Sequence, residues 1–238
     1  MRKFIISTVM LVAGLGASAE AADLPVKKTT PMSPLASSYN WSGCSVGANV
    51  GGVWGNNGWT DKQPGDANFG VSEGSHSPSG VSGGLQVGCD YQFAGNIVLG
   101  LQGDFNLTNA KASHADLIGG AGFTDKSQTN WYATVAPRIG YAFDRFLPYV
   151  KGGVAFENLD VKWTGPALSG TGSQTRTGWM LGLGGEYAVT QQVTVFLEYN
   201  YLDFGKKDAT FAVSDGTKWV SGIDESKSVV KAGVNWRF

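Results

Sequence analysis

The sequence predicts an all-β fold, an eight-stranded antiparallel up-and-down transmembrane β-barrel that occupies residues 41–238. Three observations predict it. Eight segments alternate apolar and polar side chains with a period of two residues. Their connections are alternately long and short, and aromatic side chains cluster at both ends of the segments. A secreted β-sandwich could share the alternating connections, but it would not need aromatic residues at both strand ends.

The alternation is clear from the first strand to the last. In the first, Val46 and Val50 face one way, and Ser45 and Asn49 face the other. The same pattern recurs around residues 80–93, 97–107, 130–143, 149–157, 179–189, 193–201 and 230–238. The fifth strand changes parity near Leu159, so we expect a β-bulge there.

The connections and the aromatic residues give the strands a direction relative to a membrane. The predicted long loops are residues 55–79, 109–127, 164–176 and 206–226, and the tight turns are Ala94-Gly95-Asn96, Asp144-Arg145 and Thr190-Gln191-Gln192. The aromatic residues near the turn end are Trp41, Tyr91, Phe93, Tyr141, Phe143, Tyr187, Trp236 and Phe238, and those near the loop end are Trp54, Trp131, Trp163, Trp179 and Tyr201. Two aromatic girdles around an apolar band are typical of an outer-membrane barrel.

The N-terminal residues have the features of an export signal. Arg2 and Lys3 precede an apolar run at residues 4–15, which is too short to cross a bilayer as a helix. Small residues at Ala19 and Ala21 predict cleavage after residue 21, so residues 1–21 are assigned to a signal peptide. An N-terminal anchor helix is the alternative, but no further apolar residues extend the run.

Residues 22–40 form a predicted disordered linker, rich in Pro, Lys, Ser and Thr and without periodicity. Fully extended at roughly 3.1 Å per residue, it would reach on the order of 60 Å.

Composition excludes several classes of function. The net formal charge of −1 gives no electrostatic attraction to nucleic acid. The sequence contains no metal-ligand spacing, phosphate-cradling glycine loop, nucleotide fingerprint or catalytic motif, so neither an enzyme nor a cofactor is predicted. His76 has serines on both sides, but adjacency in sequence does not make a catalytic triad.

The chain resembles the major outer-membrane proteins of rhizobium-related bacteria, which include Brucella-type surface antigens, RopB-like proteins and hemin-binding proteins with an OmpA-like barrel. The matching segments include Ala22-Asp23-Leu24-Pro25, Tyr39-Asn40-Trp41-Ser42-Gly43, Arg138-Ile139-Gly140-Tyr141-Ala142, Leu147-Pro148-Tyr149-Val150-Lys151-Gly152-Gly153 and Val230-Lys231-Ala232-Gly233-Val234-Asn235-Trp236-Arg237-Phe238. The resemblance implies the outer membrane of a Gram-negative bacterium, with extracellular loops and a periplasmic N-terminus.

The same resemblance implies the partners. They are outer-membrane lipid and lipopolysaccharide, and the barrel assembly machinery, which reads the terminal strand with Trp236 and Phe238. In such proteins the mature Ala-Asp end can be joined covalently to peptidoglycan, and here that end is Ala22-Asp23. A disordered leader without a partner is the alternative. We expect a monomer or a weak oligomer.

The two cysteines depart from the pattern of the relatives. If strands one and two form an antiparallel hairpin around the 55–79 loop, Cys44 and Cys89 are opposed on the apolar face. Export to an oxidising compartment permits a cross-strand disulfide between them. The alternative is two small apolar side chains that face lipid.

Charged residues on the polar face predict a charged barrel interior. The predicted lumen set is Asp90, Asp104, Glu157, Glu186 and Glu198 with Arg138, Lys151, Lys231 and Arg237. An eight-stranded barrel is just wide enough for side chains to fill. These charges could line a gated small-solute passage, but we favour a paired polar core that locks the barrel shut, because an unpaired buried charge is costly.

The two histidines, His76 and His114, fall in predicted surface loops. Exposed imidazoles suit haem ligation, as in some relatives, although two histidines in separate loops are more often simply solvated. Taken together, the sequence predicts a structural envelope protein, with a small-solute porin or a haem- or host-ligand-binding surface protein as the alternatives.

Overall fold

The computed structural model describes residues 39–115, 122–166, 169–214 and 216–238. The predicted signal peptide, and the predicted linker up to residue 38 with Ala22 and Asp23, lie outside these residues. The described residues from Tyr39 onward form one compact unit. In the described ranges, no helix is long and apolar enough to cross a membrane.

The described chain folds into ten antiparallel strands. They are β1 (Gly43–Asp61), β2 (Ser72–His76), β3 (Ser79–Gln92), β4 (Ile97–Thr108), β5 (Lys111–Ala115), β6 (Thr124–Tyr141), β7 (Phe146–Thr164), β8 (Ser169–Ala188), β9 (Val193–Val213) and β10 (Lys218–Arg237). Eight of them close a ring, because β1 pairs with both β3 and β10. The short strands β2 and β5 pair with β1 and β6 at the loop end. The predicted eight-stranded barrel is thus confirmed, with two additional short strands.

Tight turns connect the strands at one end. In the β3–β4 turn, Gly95 and Asn96 have positive φ angles of 88° and 66°. These two residue types tolerate the left-handed conformation that a twisted hairpin requires. The turn therefore follows directly from the local sequence.

Two of the predicted long loops are mostly strand. Strand β8 begins at Ser169 and β9 continues to Val213, so much of the predicted 164–176 and 206–226 loops is paired. The 21 residues of β9 span about 70 Å at roughly 3.3 Å each. Tilted by roughly 40°, such a strand rises about 50 Å, twice the roughly 25 Å apolar band of an outer-membrane barrel. The wall therefore continues beyond the membrane at the loop end.

The outward face carries the apolar band. Leu85 and Leu197 are 69% and 61% exposed on this face. Aromatic residues flank the band, and the exposed ones include Tyr91, Phe143, Trp236, Phe238, Trp54 and Trp179. Two predicted girdle residues face inward instead. Trp41 is fully buried at the turn end, and Trp163 packs against an interior cluster at the loop end.

The bulge lies beside the predicted position rather than at it. The β6–β7 register shifts between Thr129 and Trp131, so Asn130 is the extra residue. Leu159 is the partner of Thr129, and the inward alternation of β7 continues without interruption through Val161. The parity change predicted in β7 does not occur. The extra residue lies in the neighbouring strand β6, and the apolar Leu159 and Val161 face inward in the loop-end cluster.

Candidate functional site

The barrel interior is built in layers of charged and apolar side chains. Three buried apolar clusters lie at the turn end, near the middle and at the loop end. Among these clusters lie three groups of charged side chains, which we call the lower, middle and upper tiers in order from the turn end. The strands position each charge because alternate residues of every wall strand point inward.

The lower tier consists of Asp90, Arg138, Glu186 and Arg237. The Arg138 guanidinium lies 2.6 Å from Asp90 and 3.0 Å from Glu186. Arg237 lies 3.0 Å from Asp90. Thr194 donates a 2.5 Å hydrogen bond to Glu186. Two carboxylates are thus matched by two guanidiniums, and uncharged donors supplement the ion pairs.

The middle tier consists of Asp104, Lys151, Glu198 and Lys231. The Lys231 Nζ lies 3.2 Å from Asp104 and 3.3 Å from Glu198, and the Lys151 Nζ lies 2.8 Å from Glu198. The Tyr149 hydroxyl donates a 2.8 Å hydrogen bond to Glu198, and its ring lies 4.9 Å from the Arg138 guanidinium. Tyr149 thus connects the middle tier to the lower one.

The upper tier consists of Glu157, Arg176, Glu225 and Lys227. One Glu225 oxygen accepts a 2.8 Å hydrogen bond from Arg176, and its other oxygen lies 2.8 Å from the Lys227 Nζ. Lys227 also pairs with Glu157. Arg176 donates to the backbone carbonyl of Ile223 at 2.5 Å. All four side chains are at most 1% exposed.

All nine charged residues that the sequence assigned to the lumen are buried there. Three further charged residues of the lumen, Arg176, Glu225 and Lys227, were not predicted from the sequence. Two of them fall in predicted loops, and the last predicted strand begins only at Val230. The sequence nevertheless contained a pattern that could have identified two of these residues, Glu225 and Lys227. The period-two pattern extends back from Lys231 through residues 229, 227 and 225 of β10.

An aromatic plug closes the lumen at the turn end. The Trp41 indole Nε1 donates to the Asp144 carbonyl at 2.9 Å, and the Arg237 guanidinium lies 5.4 Å from the Trp41 ring. Tyr39 packs on Trp41 with ring centroids 4.8 Å apart and is 3% exposed. Tyr39, which the sequence placed in the linker, is therefore part of the barrel.

Cys44 and Cys89 are bonded to each other. They are register partners in the β1–β3 pair, with a Cα–Cα distance of 4.0 Å. The bond lies on the outward face near the turn end and joins two neighbouring wall strands.

The histidines are not exposed loop residues, which corrects the sequence-based expectation. His76 ends β2 and His114 lies in β5, and their Nδ1 atoms are 2.7 Å apart. The Nε2 of His76 lies 2.6 Å from the Ser127 hydroxyl, and that of His114 lies 3.3 Å from Asp125. Strand pairing above the membrane folds these segments inward, and the ring nitrogens bond to one another. The haem-ligation alternative thereby loses the exposed imidazoles on which it rested.

The environment of His76 favours its neutral form. The pKa of His76 is lowered from 6.5 to about 4, mainly by burial and also by the neighbouring His114, while Glu225 opposes both effects. Across the described residues, no group of three or more histidine, cysteine or acidic side chains is placed to hold a metal ion.

Comparison with known proteins agrees with this architecture. The sequence profile of the outer membrane protein β-barrel domain matches residues 8–238. The chain belongs to this family. Among curated proteins, the chain is similar to the 31 kDa outer-membrane immunogenic protein of Brucella melitensis, with 28% identity over 100% of both chains. The 22 kDa outer membrane protein of Rhizobium leguminosarum bv. viciae is 28% identical over 67% of each chain. These relatives confirm the resemblance seen in the sequence and the outer-membrane location of this β-barrel protein.

Among solved structures, the outer membrane protease OmpT of Escherichia coli is similar in fold. Its TM-score is 0.52 at 10% identity, and the match covers 84% of this chain and 98% of that one. Similarity at this level shows the barrel fold alone, and it does not extend the protease activity of that protein to this outer-membrane barrel.

Proposed function

We propose that this outer-membrane barrel is a structural component of the envelope whose interior is closed to solutes. The observation that carries the proposal is the filling of the lumen by three charge-balanced tiers. A conducting pore needs water along its axis, whereas these carboxylates and cations contact one another and are almost fully buried. The three apolar clusters of the interior further oppose the passage of ions, since a charge is costly in apolar surroundings.

Conductance in planar bilayers tests this proposal. The barrel, refolded in detergent and shown to be folded by its heat-modifiable mobility on gels, is expected to insert without stable conductance steps. A general porin added to the same bilayer is the control that shows that channels are detected. Reproducible single-channel steps from the folded barrel would support the small-solute porin instead.

We further propose that the N-terminal segment ties the barrel to the cell wall through Ala22-Asp23. The described chain starts at the turn end, where the Tyr39 amide donates to the Asp144 side chain at 3.0 Å. The turn end faces the periplasm in an outer-membrane barrel, so the preceding residues start on the side of the peptidoglycan. A linker with the reach estimated above is long enough to contact it.

Mass spectrometry of the cell wall tests the tether. Peptidoglycan is boiled in detergent and digested with protease, and the products are searched for Ala22-Asp23 peptides that carry a muropeptide. The tether predicts such peptides. It also predicts that the N-terminal peptides of an Asp23→Ala variant carry no muropeptide. If all detected Ala22 ends are free, the tether is refuted, but the proposal of a closed barrel is unaffected.

A further inference from the structure

A groove of about 850 Å³ lies on the outer wall at the loop end, across strands β5 to β8. Two rows of outward side chains line it, and the members of each row are register partners on neighbouring strands. The row farther from the membrane is Ser113, Lys126, Lys162 and Thr171, and the nearer row is Lys111, Gln128, Asp160 and Ser173. All of these side chains are exposed except Asp160, which is half-buried. The groove is therefore polar and open to a ligand.

Three lysines of the groove, Lys111, Lys126 and Lys162, form what we call the basic patch. Lys126 of β6 and Lys162 of β7 are direct register partners. Like charges directly opposite each other on neighbouring strands are destabilising, so an anion between these two would be stabilising. Lys111 is the partner of Gln128, two residues from Lys126, and is thus diagonal to Lys126. Diagonal neighbours are roughly 7–8 Å apart, which long side chains can span. The three ammonium groups can therefore converge on one anion.

No described acid forms an ion pair with the basic patch. The ion pairs that lysines form within the described ranges all lie in the middle and upper tiers of the lumen. Asp160 is the one acid among the described residues that line the groove, and its carboxylate accepts a 2.6 Å hydrogen bond from Asn130. Lys206 on β9 differs, because its register partner is Asp224 and its Nζ donates to the Thr60 hydroxyl at 3.0 Å. Positive charge is thus in excess in the groove.

The basic patch lies at the level of lipid headgroups. Lys162 is four residues farther along β7 than Asn158, which is the register partner of Trp131 in the loop-end girdle. At roughly 3.3 Å per residue and a tilt of roughly 40°, Lys162 lies about 10 Å beyond Trp131. The row that contains Lys111 lies closer to the membrane. Because the polar layer on each side of a bilayer is roughly 5–8 Å thick, these lysines can contact the headgroup of a neighbouring lipid.

We propose that the basic patch binds the phosphate groups of a lipopolysaccharide molecule in the outer leaflet. A phosphate between Lys126 and Lys162 offsets their mutual repulsion, since an ammonium group binds phosphate as a point charge. The uncharged polar side chains of the two rows supply hydrogen bonds to the remaining phosphate oxygens and to sugar hydroxyls. The acyl chains of the same molecule then lie along the apolar band below. The proposal rests on the outer-membrane location and depends neither on the closed lumen nor on the tether.

Native mass spectrometry of the folded barrel with short-core lipopolysaccharide tests the proposal. The barrel is refolded in a maltoside detergent, because the headgroup of this detergent carries no charge. We expect saturable binding of lipopolysaccharide to the wild type. The affinity should fall about tenfold or more in Lys126→Gln/Lys162→Gln, because this variant removes two charges from the site. Lys126→Arg/Lys162→Arg retains both charges, and its affinity should stay within about threefold of the wild type.

Lys206→Gln/Lys218→Gln is the matched control. It removes the same number of charges from exposed positions on β9 and β10, outside the groove, and should leave the affinity unchanged. Chemically dephosphorylated lipopolysaccharide should bind the wild type as weakly as intact lipopolysaccharide binds Lys126→Gln/Lys162→Gln. Millimolar inorganic phosphate should not displace the lipid, because it lacks the acyl chains. Each variant is checked for heat-modifiable mobility.

Four outcomes would each overturn the proposal. They are an unchanged affinity in Lys126→Gln/Lys162→Gln, an equal loss in the control variant, undiminished binding of the dephosphorylated lipid, and displacement of the lipid by inorganic phosphate. The last outcome would show that the groove takes free phosphate and not a lipid headgroup.

Discussion

Single residues in the interior are tied to their neighbours by charge. Lys231 is 1% exposed and contacts both Asp104 and Glu198. Removal of one member of such a group leaves a carboxylate buried without its counterion, which costs far more than the original pair contributes. The tiers are therefore sensitive to single substitutions even where replacement of a whole pair by apolar residues would be tolerated.

Lys231→Met should lower the free energy of unfolding by about 3–5 kcal/mol, because it leaves excess negative charge in the middle tier. Denaturant titration of the refolded barrel measures the change. Lys162→Met is the matched control at an exposed position, and its effect should stay within about 0.5 kcal/mol. Equal effects of the two substitutions would contradict a buried, coupled tier.

His76 should make the loop end sensitive to acid. Its pKa is about 4 in the folded protein and 6.5 when solvated, so between these values the opened state binds a proton that the folded state does not. The contribution of neutral His76 to the stability of the loop end is therefore fully present above pH 6.5 and is lost as the pH falls toward 4. Amide hydrogen exchange in β2 and β5 should accelerate over this range.

His76→Gln removes the titrating group and should flatten this pH dependence. The exchange rates are corrected for the intrinsic effect of pH, and amides in the membrane-spanning part of β9 serve as the internal reference. A pH dependence that persists unchanged in the variant would show that another group is responsible.

At the scale of elements, the wall strands are longer than a membrane requires. Strands β7 to β10 each contain 19 to 21 residues and continue upward past the loop-end girdle. Their outward faces meet water there, so polar residues replace the apolar band while the inward alternation continues. The Cys44–Cys89 bond joins β1 to β3 near the opposite end. The hairpin between these strands is thus closed covalently near its base.

Loss of the disulfide should destabilise the barrel without changing its fold. The bond closes a segment with a sequence separation of 45 residues, and such a cross-link typically contributes about 2–4 kcal/mol. The Cys44→Ala/Cys89→Ala double variant should therefore unfold at lower denaturant concentration but retain its heat-modifiable mobility. Identical unfolding of wild type with and without reductant would contradict this expectation.

At the scale of the whole barrel, ring closure decides membrane compatibility. Each of the eight wall strands has two neighbours, so no wall strand presents an open edge to lipid. Turns and the Trp41 plug lie at one end, and the His76–His114 pair and an aromatic cluster lie at the other. The two ends therefore carry different chemistry.

Labelling on intact cells should distinguish the two ends. A membrane-impermeant maleimide should modify Asn68→Cys at the loop end, because this end faces the medium in an outer-membrane barrel. Ala94→Cys in the β3–β4 turn is the counterpart at the other end and should react only after lysis. The native cysteines do not interfere because they are bonded to each other. Labelling of Ala94→Cys on intact cells would show that the barrel has the opposite orientation in the membrane.

The sequence by itself determined the barrel, its tight turns and the cross-strand position of the cysteines. Alternation with a period of two places every side chain on one of two faces, so Asp90 and Lys231 were assigned inward without any tertiary information. Gly95 and Asn96 specify their turn locally. These features depend on neighbours in the chain or on a simple antiparallel register.

Only the tertiary structure decided how far the strands extend and what meets inside them. Beyond the membrane, the outward faces of β8 to β10 are polar, so these strand ends lack the apolar alternation that marks a membrane strand. They resembled loops in the sequence, and Arg176, Glu225 and Lys227 were therefore not assigned to the lumen. The contact of His76 with His114 joins residues from two short strands that the sequence treated as separate loops. The physical reason is that ring closure brings together side chains from strands distant in sequence, and no local pattern encodes that proximity.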